Sequence, residues 1–198
     1  MWFKQDFQEE HLLQAKNKIT SFAEKFTIPV WGKNLEDRSS LLEQQGFTQA
    51  FGQIGMHLKL EHAFEENNTV QLRLLEQHKG AELWSELFAS AFGYLIHPDV
   101  IRKTMDPVQY FIAYHQNQPA GTGVLYQTGK VAGIHSIGVS PKMRRKGLAE
   151  QITIQLLNLA KDQKMEYATL QASDMGKGLY LKLGFEEDFT MSNYRLNK

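Results

Sequence analysis

The sequence predicts a mixed α/β fold of the α+β kind. Its central sheet is mixed, with an antiparallel meander and a central parallel pair, flanked by helices and accompanied by a smaller N-terminal α/β unit. Three observations predict it. Residues 108–141, VQYFIAYHQNQPAGTGVLYQTGKVAGIHSIGVSP, read as three strands joined by the turn-forming stretches QNQP and QTGK. Beyond Pro141 the period changes: Ala149, Ile152, Leu156 and Leu159 recur at three and four residues, an amphipathic helix, and EYATLQAS follows as a strand. Strand, helix, strand in that order implies a right-handed crossover and a parallel pair. Finally, residues 44–60 overlay residues 182–198 without a gap, placing Gly46 on Gly184, Phe47 on Phe185, Phe51 on Phe189 and Leu58 on Leu196. The shared pattern is a helix end, a glycine stop, an aromatic and a strand, which reads as a repeated unit.

The remaining elements follow in order. LEHAFEENNTV, residues 60–70, is acidic and ends near the turn-prone pair Asn67 and Asn68, so it reads as a linker dividing a domain of residues 1–66 from one of 67–198. VQLRLL is strand-like. KGAELWSELFASAFGYLIHPDVIRKTM, residues 79–105, is helical, with Leu83, Leu87, Phe88 and Ala91 along one face, and Pro98 breaks that helix from a shorter second one. Near the end, MGKGLYLKL is a short helix stopped by Gly184.

Composition narrows the function. A chain of 198 residues that is 42% hydrophobic can bury a core of its own. Lys and Arg number 22 against 22 Asp and Glu, a balance that argues against nucleic-acid or polybasic membrane partners. Cysteine is absent, which removes disulfides, thiolate metal sites and thiol nucleophiles. No run resembles a signal peptide or a membrane span, so a cytoplasmic location is expected. His57 and His62 lack metal-ligand spacing, and no metal site is expected. AGTGV, residues 120–124, lies inside a hairpin, where small residues serve close strand packing.

Against this neutral background SPKMRRKGLAE, residues 140–150, concentrates four cations beside one glycine. It runs from a strand into a helix start, where unpaired amides and the positive end of the helix dipole suit a phosphate. The run Arg144, two residues, Gly147, one residue, Ala149 resembles the acyl-CoA pyrophosphate loop of the GNAT superfamily, and SDMGKGLYLKLGF downstream resembles the second half of that signature. The resemblance covers residues 71 to 198, and the N-terminal segment is similar to the degenerate copy of tandem members.

The resemblance implies an N-acetyltransferase that moves the acetyl group of acetyl-CoA to a primary amine within a ternary complex. Main-chain groups of Ile137, Gly138 and Val139 would hold the pantetheine arm and polarise the thioester. The loop and helix start formed by Arg145, Lys146, Gly147, Leu148, Ala149 and Glu150 would take the pyrophosphate, with Arg144 nearby. Tyr180 falls where many members place the acid that protonates the departing thiolate; alone, it reads as a half-buried packing tyrosine. Ser173 stands where members commonly carry an asparagine, and His135 where many carry a glutamate base. A neutral imidazole suits that work, yet His135 equally suits a strand position with its polar edge satisfied. Trp84, Phe88, Phe92 and Tyr94 would wall an acceptor pocket, because the first two helices flank the acceptor side in the family, although most of them suit the core as well; Glu82, Glu86 and Asp99 are acids that would attract a cationic amine. The rival reading is an acyl-CoA-binding sensor or scaffold that has lost its chemistry. Amine identity, acyl-chain preference and a homodimer stay open.

Overall fold

The computed structural model describes residues 7–22, 26–32, 35–76 and 80–196. Helix α1 (Glu9–Thr20) carries Glu9 and Glu10 in its first turn, where the helix dipole favours them, and buries Leu12, Ala15 and Ile19 along one face. Strand β1 (Ile28–Trp31) precedes α2 (Leu35–Gln44), which leads through Gly46 into β2 (Phe47–Lys59). After residues 60–70 come β3 (Gln71–Leu74), α3 (Ala81–Phe92) and α4 (Pro98–Thr104). The meander is β4 (Val108–His115), β5 (Gln118–Thr128) and β6 (Val131–Val139), and then α5 (Leu148–Asp162), β7 (Tyr167–Ala172), α6 (Asp174–Lys182) and β8 (Glu186–Leu196) complete the chain.

Both hairpin turns and the period change after Pro141 stand where the sequence places them. The shorter second helix at Pro98 is there as well, but the first helix stops earlier than Pro98: α3 ends at Gly93, whose φ of +79° lets its amide donate back to Ala89, and Pro98 opens α4. The buried face of α3 centres on Trp84 and Phe88, with Leu83 and Leu87 at its margin. Lys79, where the predicted helix begins, and residues 197–198 of the overlay lie outside the described residues.

Two compact units divide the chain: Met1–Met56 with Gln171–Lys198, and His57–Leu170. These differ from the predicted 1–66 and 67–198, because β8 runs antiparallel to β1, with Ile28 opposite Tyr194 and Trp31 opposite Met191. The first unit orders its strands β1, β8, β2. Its core joins Leu12, Ile19, Ile28, Val30, Leu42, Phe47 and Tyr194. The overlaid positions behave alike within it: Gly46 and Gly184 both have positive φ, and Phe47 and Phe185 are both buried.

The second unit orders its strands β7, β6, β5, β4, β3. All neighbours are antiparallel except β6 and β7, whose parallel register pairs Val131–Gly133 with Tyr167–Thr169. One face of this sheet packs Tyr110, Ile112 and Val124 against Trp84, Phe88 and Ile101. The other takes α5, which buries Leu148, Ile152, Leu156, Leu157 and Ala160 and presses Ile152 and Leu156 onto Gly123. Residues 60–70 are lashed along α5 rather than free. Asn158 exchanges hydrogen bonds with both main-chain groups of Phe64, Gln151 accepts from Asn67, Gln155 bridges Val70 and Leu72, and Lys161 donates to Glu61. Among the described residues no helix is long and apolar enough to cross a membrane.

Candidate functional site

The second unit builds its site around an irregularity in β6. Thr122 pairs with Gly138 and Val124 with His135, so Ser136 and Ile137 together oppose the single residue Gly123. This two-against-one count is a β-bulge, and Ser136 absorbs it with φ +56°. Thr122, fully buried, donates its hydroxyl to the Ser136 carbonyl at 2.8 Å and so pins the distortion. The parallel register with β7 stops at Gly133, while the antiparallel register with β5 continues to Val139. Among the described residues the rest of β6 has no strand paired on that side, which leaves it a free edge.

Main-chain alternation decides which groups face that edge. Ser140 donates to the Ala120 carbonyl at 2.8 Å, and the Gly138 carbonyl lies against Gly121, so residues 138 and 140 are turned to β5. Ile137 and Val139 consequently present their N–H and C=O groups to the open side. The Val139 carbonyl accepts a bond from Arg144 Nε at 3.3 Å. Of the three residues named from sequence, Ile137 and Val139 thus offer main-chain groups there, and Gly138 serves instead as a position without a side chain. A β-carbon on Gly138 would lie 2.6 Å from Phe92 Cε2 and 2.9 Å from Ala91 Cβ. The glycines of AGTGV answer the same close packing, since a β-carbon on Gly121 would collide with the Gly138 carbonyl.

Past β6 a short 3-10 turn, Pro141–Met143, leads into the cationic loop. Arg145 takes φ +62° and Gly147, the N-cap of α5, φ +73°, with no side chain capping the helix. The amides of Leu148, Ala149 and Glu150 fall in the first turn of α5, where a helix offers them no internal acceptor. Nothing lies within 4 Å of a β-carbon built on Gly147, so the glycine answers conformation and not crowding. Arg144 behaves differently from its neighbours: Nη2 donates to the Ala91 carbonyl at 3.0 Å, and the guanidinium thereby ties the loop to the end of α3. Arg145 and Lys146 are exposed.

His135 shares a sheet face with Gly138, because the bulge resets the alternation between them and both lie opposite residues of one β5 face, Val124 and Thr122. Its ring folds over Gly133, and burial pushes the imidazole pKa below its usual value, so the side chain is neutral at pH 7. In the first unit, Tyr180 packs edge-on to Phe185 at 5.7 Å between ring centroids, and burial pushes its phenol up to about 12. Ser173 is the N-cap of α6, its hydroxyl oxygen accepting from the Gly176 amide at 3.3 Å. The acids proposed to draw in a cationic amine are largely committed: Arg102 bridges Glu82 and Asp99. Sequence reasoning missed Thr122, the clamp by Arg144 and the helix lashing. Only the small residues of AGTGV signalled any of these. Among the described residues no cluster of three His, Asp or Glu side chains is disposed to hold a metal ion.

Comparison with known proteins bears on the family and the fold. The sequence model of a family described as "Acetyltransferase (GNAT) domain" matches residues 74–195. The chain is 31% identical over 78 residues to uncharacterized protein YyaT of Bacillus subtilis, a match covering 39% of this chain and 53% of that protein. It therefore spans about half the length of this curated relative. In three dimensions it is similar to a GCN5-related N-acetyltransferase from Kribbella flavida, with TM-score 0.74 and 14% identity over 96% of this chain and 75% of that one. It is also similar to a Bacillus subtilis acetyltransferase solved in complex with CoA, with TM-score 0.51 and 17% identity over 65% of this chain and 99% of that one.

Proposed function

Because the chain belongs to the GNAT family of acetyltransferases, we propose that it transfers the acetyl group of acetyl-CoA to a primary amine by direct attack in a ternary complex. The observation that carries this reading is the bulged strand β6, with its free edge, followed within ten residues by an uncapped helix start. Pantetheine would pair with the open main-chain groups of Ile137 and Val139 as an added strand does, and the pyrophosphate would sit on the amides of Arg145 to Glu150. Arg145 and Lys146 supply charge to it, and Arg144 holds the loop in place.

The chemistry asks for three things: an amine free of its proton, a polarised thioester carbonyl, and a proton for the thiolate that leaves as the carbon–sulfur bond breaks. Main-chain N–H groups at the open edge of β6 are fixed donors for the developing oxyanion. His135, neutral at pH 7, accepts the proton of the attacking ammonium directly or through water. Tyr180 supplies a hydrogen bond and the proton to the thiolate. With a phenol near 12 it remains protonated at all working pH values, and it is a weaker acid than a typical alkyl thiol. Its role is therefore donation concerted with bond cleavage, the phenolate then regaining its proton from water while His135 releases the ammonium proton to solvent, rather than prior release of a proton. Ser173, with its oxygen engaged in capping, keeps only its hydroxyl proton for the pantetheine. The N-terminal helix–glycine–aromatic–strand segment is read as a degenerate copy of the C-terminal one. Leu42 stands there where the second copy has Tyr180, and that copy is taken to be silent.

The test is release of CoA thiol across a panel of primary amines, with wild type beside Tyr180→Phe. The expected result is turnover by wild type and a fall in kcat of about two orders of magnitude in the variant, with acetyl-CoA affinity retained. Tight acetyl-CoA binding without turnover on any amine would assign the chain to binding and not catalysis.

A further inference from the structure

The aromatic residues of α3 and the segment after it divide into two sets. Trp84 and Phe88 are fully buried and stacked at 5.2 Å, as core residues should be. Phe92 and Tyr94 continue the same series outward: Phe92 stacks on Phe88 at 4.5 Å, Tyr94 meets Phe88 edge-on at 5.0 Å, and they stay 41% and 61% exposed. Leu95, 59% exposed, extends the apolar surface. Isolated exposed apolar residues need no explanation, but contiguous aromatic ones do.

Three facts fix what this patch meets. The ring of Phe92 occupies the space that a side chain at Gly138 would fill, so the patch abuts the bulged segment of β6 itself. His135 and Gly138 point to the same face of that strand, which puts the neutral imidazole and the exposed rings on one side of the sheet. The nearby carboxylates offer little pull to a polycation, since Arg102 pairs with both Glu82 and Asp99 and leaves that trio with a single net negative charge. A surface that is aromatic, continuous with strand β6 and only weakly acidic suits an acceptor whose body is apolar and whose only charge is the reacting amine.

We propose that the acceptor is an arylalkyl or similarly apolar primary amine, its ring seated on Phe92 and Tyr94, which thereby act as specificity-determining residues. This rests on the acetyltransferase reading. Stacking on exposed rings confers affinity without a countercharge, and it leaves the amine as the only group that must lose its hydration to react.

The experiment compares 2-phenylethylamine with ethanolamine and spermidine at saturating acetyl-CoA, in wild type, Phe92→Ala, Phe92→Leu and Tyr94→Ser. The expected result is kcat/KM at least about tenfold higher for phenylethylamine than for either competitor. Phe92→Ala and Tyr94→Ser should each raise the phenylethylamine KM about five- to tenfold, and Phe92→Leu should recover part of it. The dissociation constant of CoA, read by calorimetry, should stay within about twofold in Tyr94→Ser. Equal or better use of ethanolamine or spermidine would overturn the proposal. So would variants whose loss appears as altered preference between acetyl-CoA and hexanoyl-CoA, which would make the patch an acyl-chain wall. Ligand-observed NMR of phenylethylamine on wild type and Tyr94→Ser tests the same seat without turnover: binding to wild type that Tyr94→Ser weakens supports it, and no binding, or equal binding to both, overturns it. Failure of the acetyltransferase reading is seen separately, as absent CoA binding in wild type or as CoA binding without turnover on any amine.

Discussion

A strand histidine accepts protons only while it is neutral, and burial does that for His135. Its folded pKa is lowered by desolvation. In the unfolded chain the imidazole titrates near 6.5, so the unfolded state binds more protons as pH falls below that value. The neutral histidine thus contributes stability that is fully present above pH 6.5 and is lost as pH falls from there through the folded pKa. The same shift moves the acid limb of catalysis. If His135 is the base, kcat/KM with an amine substrate should stay supported at pH values where an exposed histidine would already be protonated, and should fall only below the ordinary imidazole range. His135→Ala should lower the rate and abolish that limb; an unaltered profile in the variant would remove His135 from the mechanism. Residue identity was legible in the sequence at these positions, but direction was not. The motif spacing marks Arg144, and nothing local shows that its guanidinium turns back to carbonyls of Val139 and Ala91, the latter 53 residues away.

At the scale of elements, the bulge in β6 is the feature that sequence patterning hides. A regular strand would put His135 and Ile137 on one face and Gly138 on the other. The extra residue at Ser136–Ile137 shifts the alternation, so His135 and Gly138 share the face that α3 covers, while Ile137 lies against Gly123 beside α5. Three small residues in AGTGV gave the only hint, since they permit the close approach of β5. The pin is Thr122, and its replacement is a test. Thr122→Val keeps the volume but leaves the partly buried Ser136 carbonyl without its donor, at an expected cost of about 1–3 kcal/mol. Denaturant unfolding should show that loss, accompanied by weaker CoA binding as the free edge of β6 relaxes. A variant as stable as wild type would mean that the bulge holds itself.

For the molecule as a whole, the meander, the crossover helix and the helix–glycine–aromatic–strand pattern at both ends were readable, because each depends on local period and turn chemistry. The partition into units was not. An acidic, asparagine-ended stretch reads as a linker, yet residues 60–70 are bound by the amide and ammonium side chains of a helix some ninety residues later in the chain. Likewise β8 belongs beside β1, a pairing between the two ends of the chain that no window of sequence contains. The proposed function rests on a segment that local reading did identify, the loop entering α5. Gly147 holds a left-handed backbone there in open space, so a valine changes nothing but conformation, costing about 1–2 kcal/mol in the native loop geometry. Calorimetric titration of CoA into wild type and Gly147→Val is the most direct test. Binding to wild type should be measurable and the affinity at least about tenfold weaker in the variant, with a thermal transition lowered by only about 2–8 °C, so that the variant is still folded at 25 °C. Equal affinity in the two proteins would contradict this role of the loop.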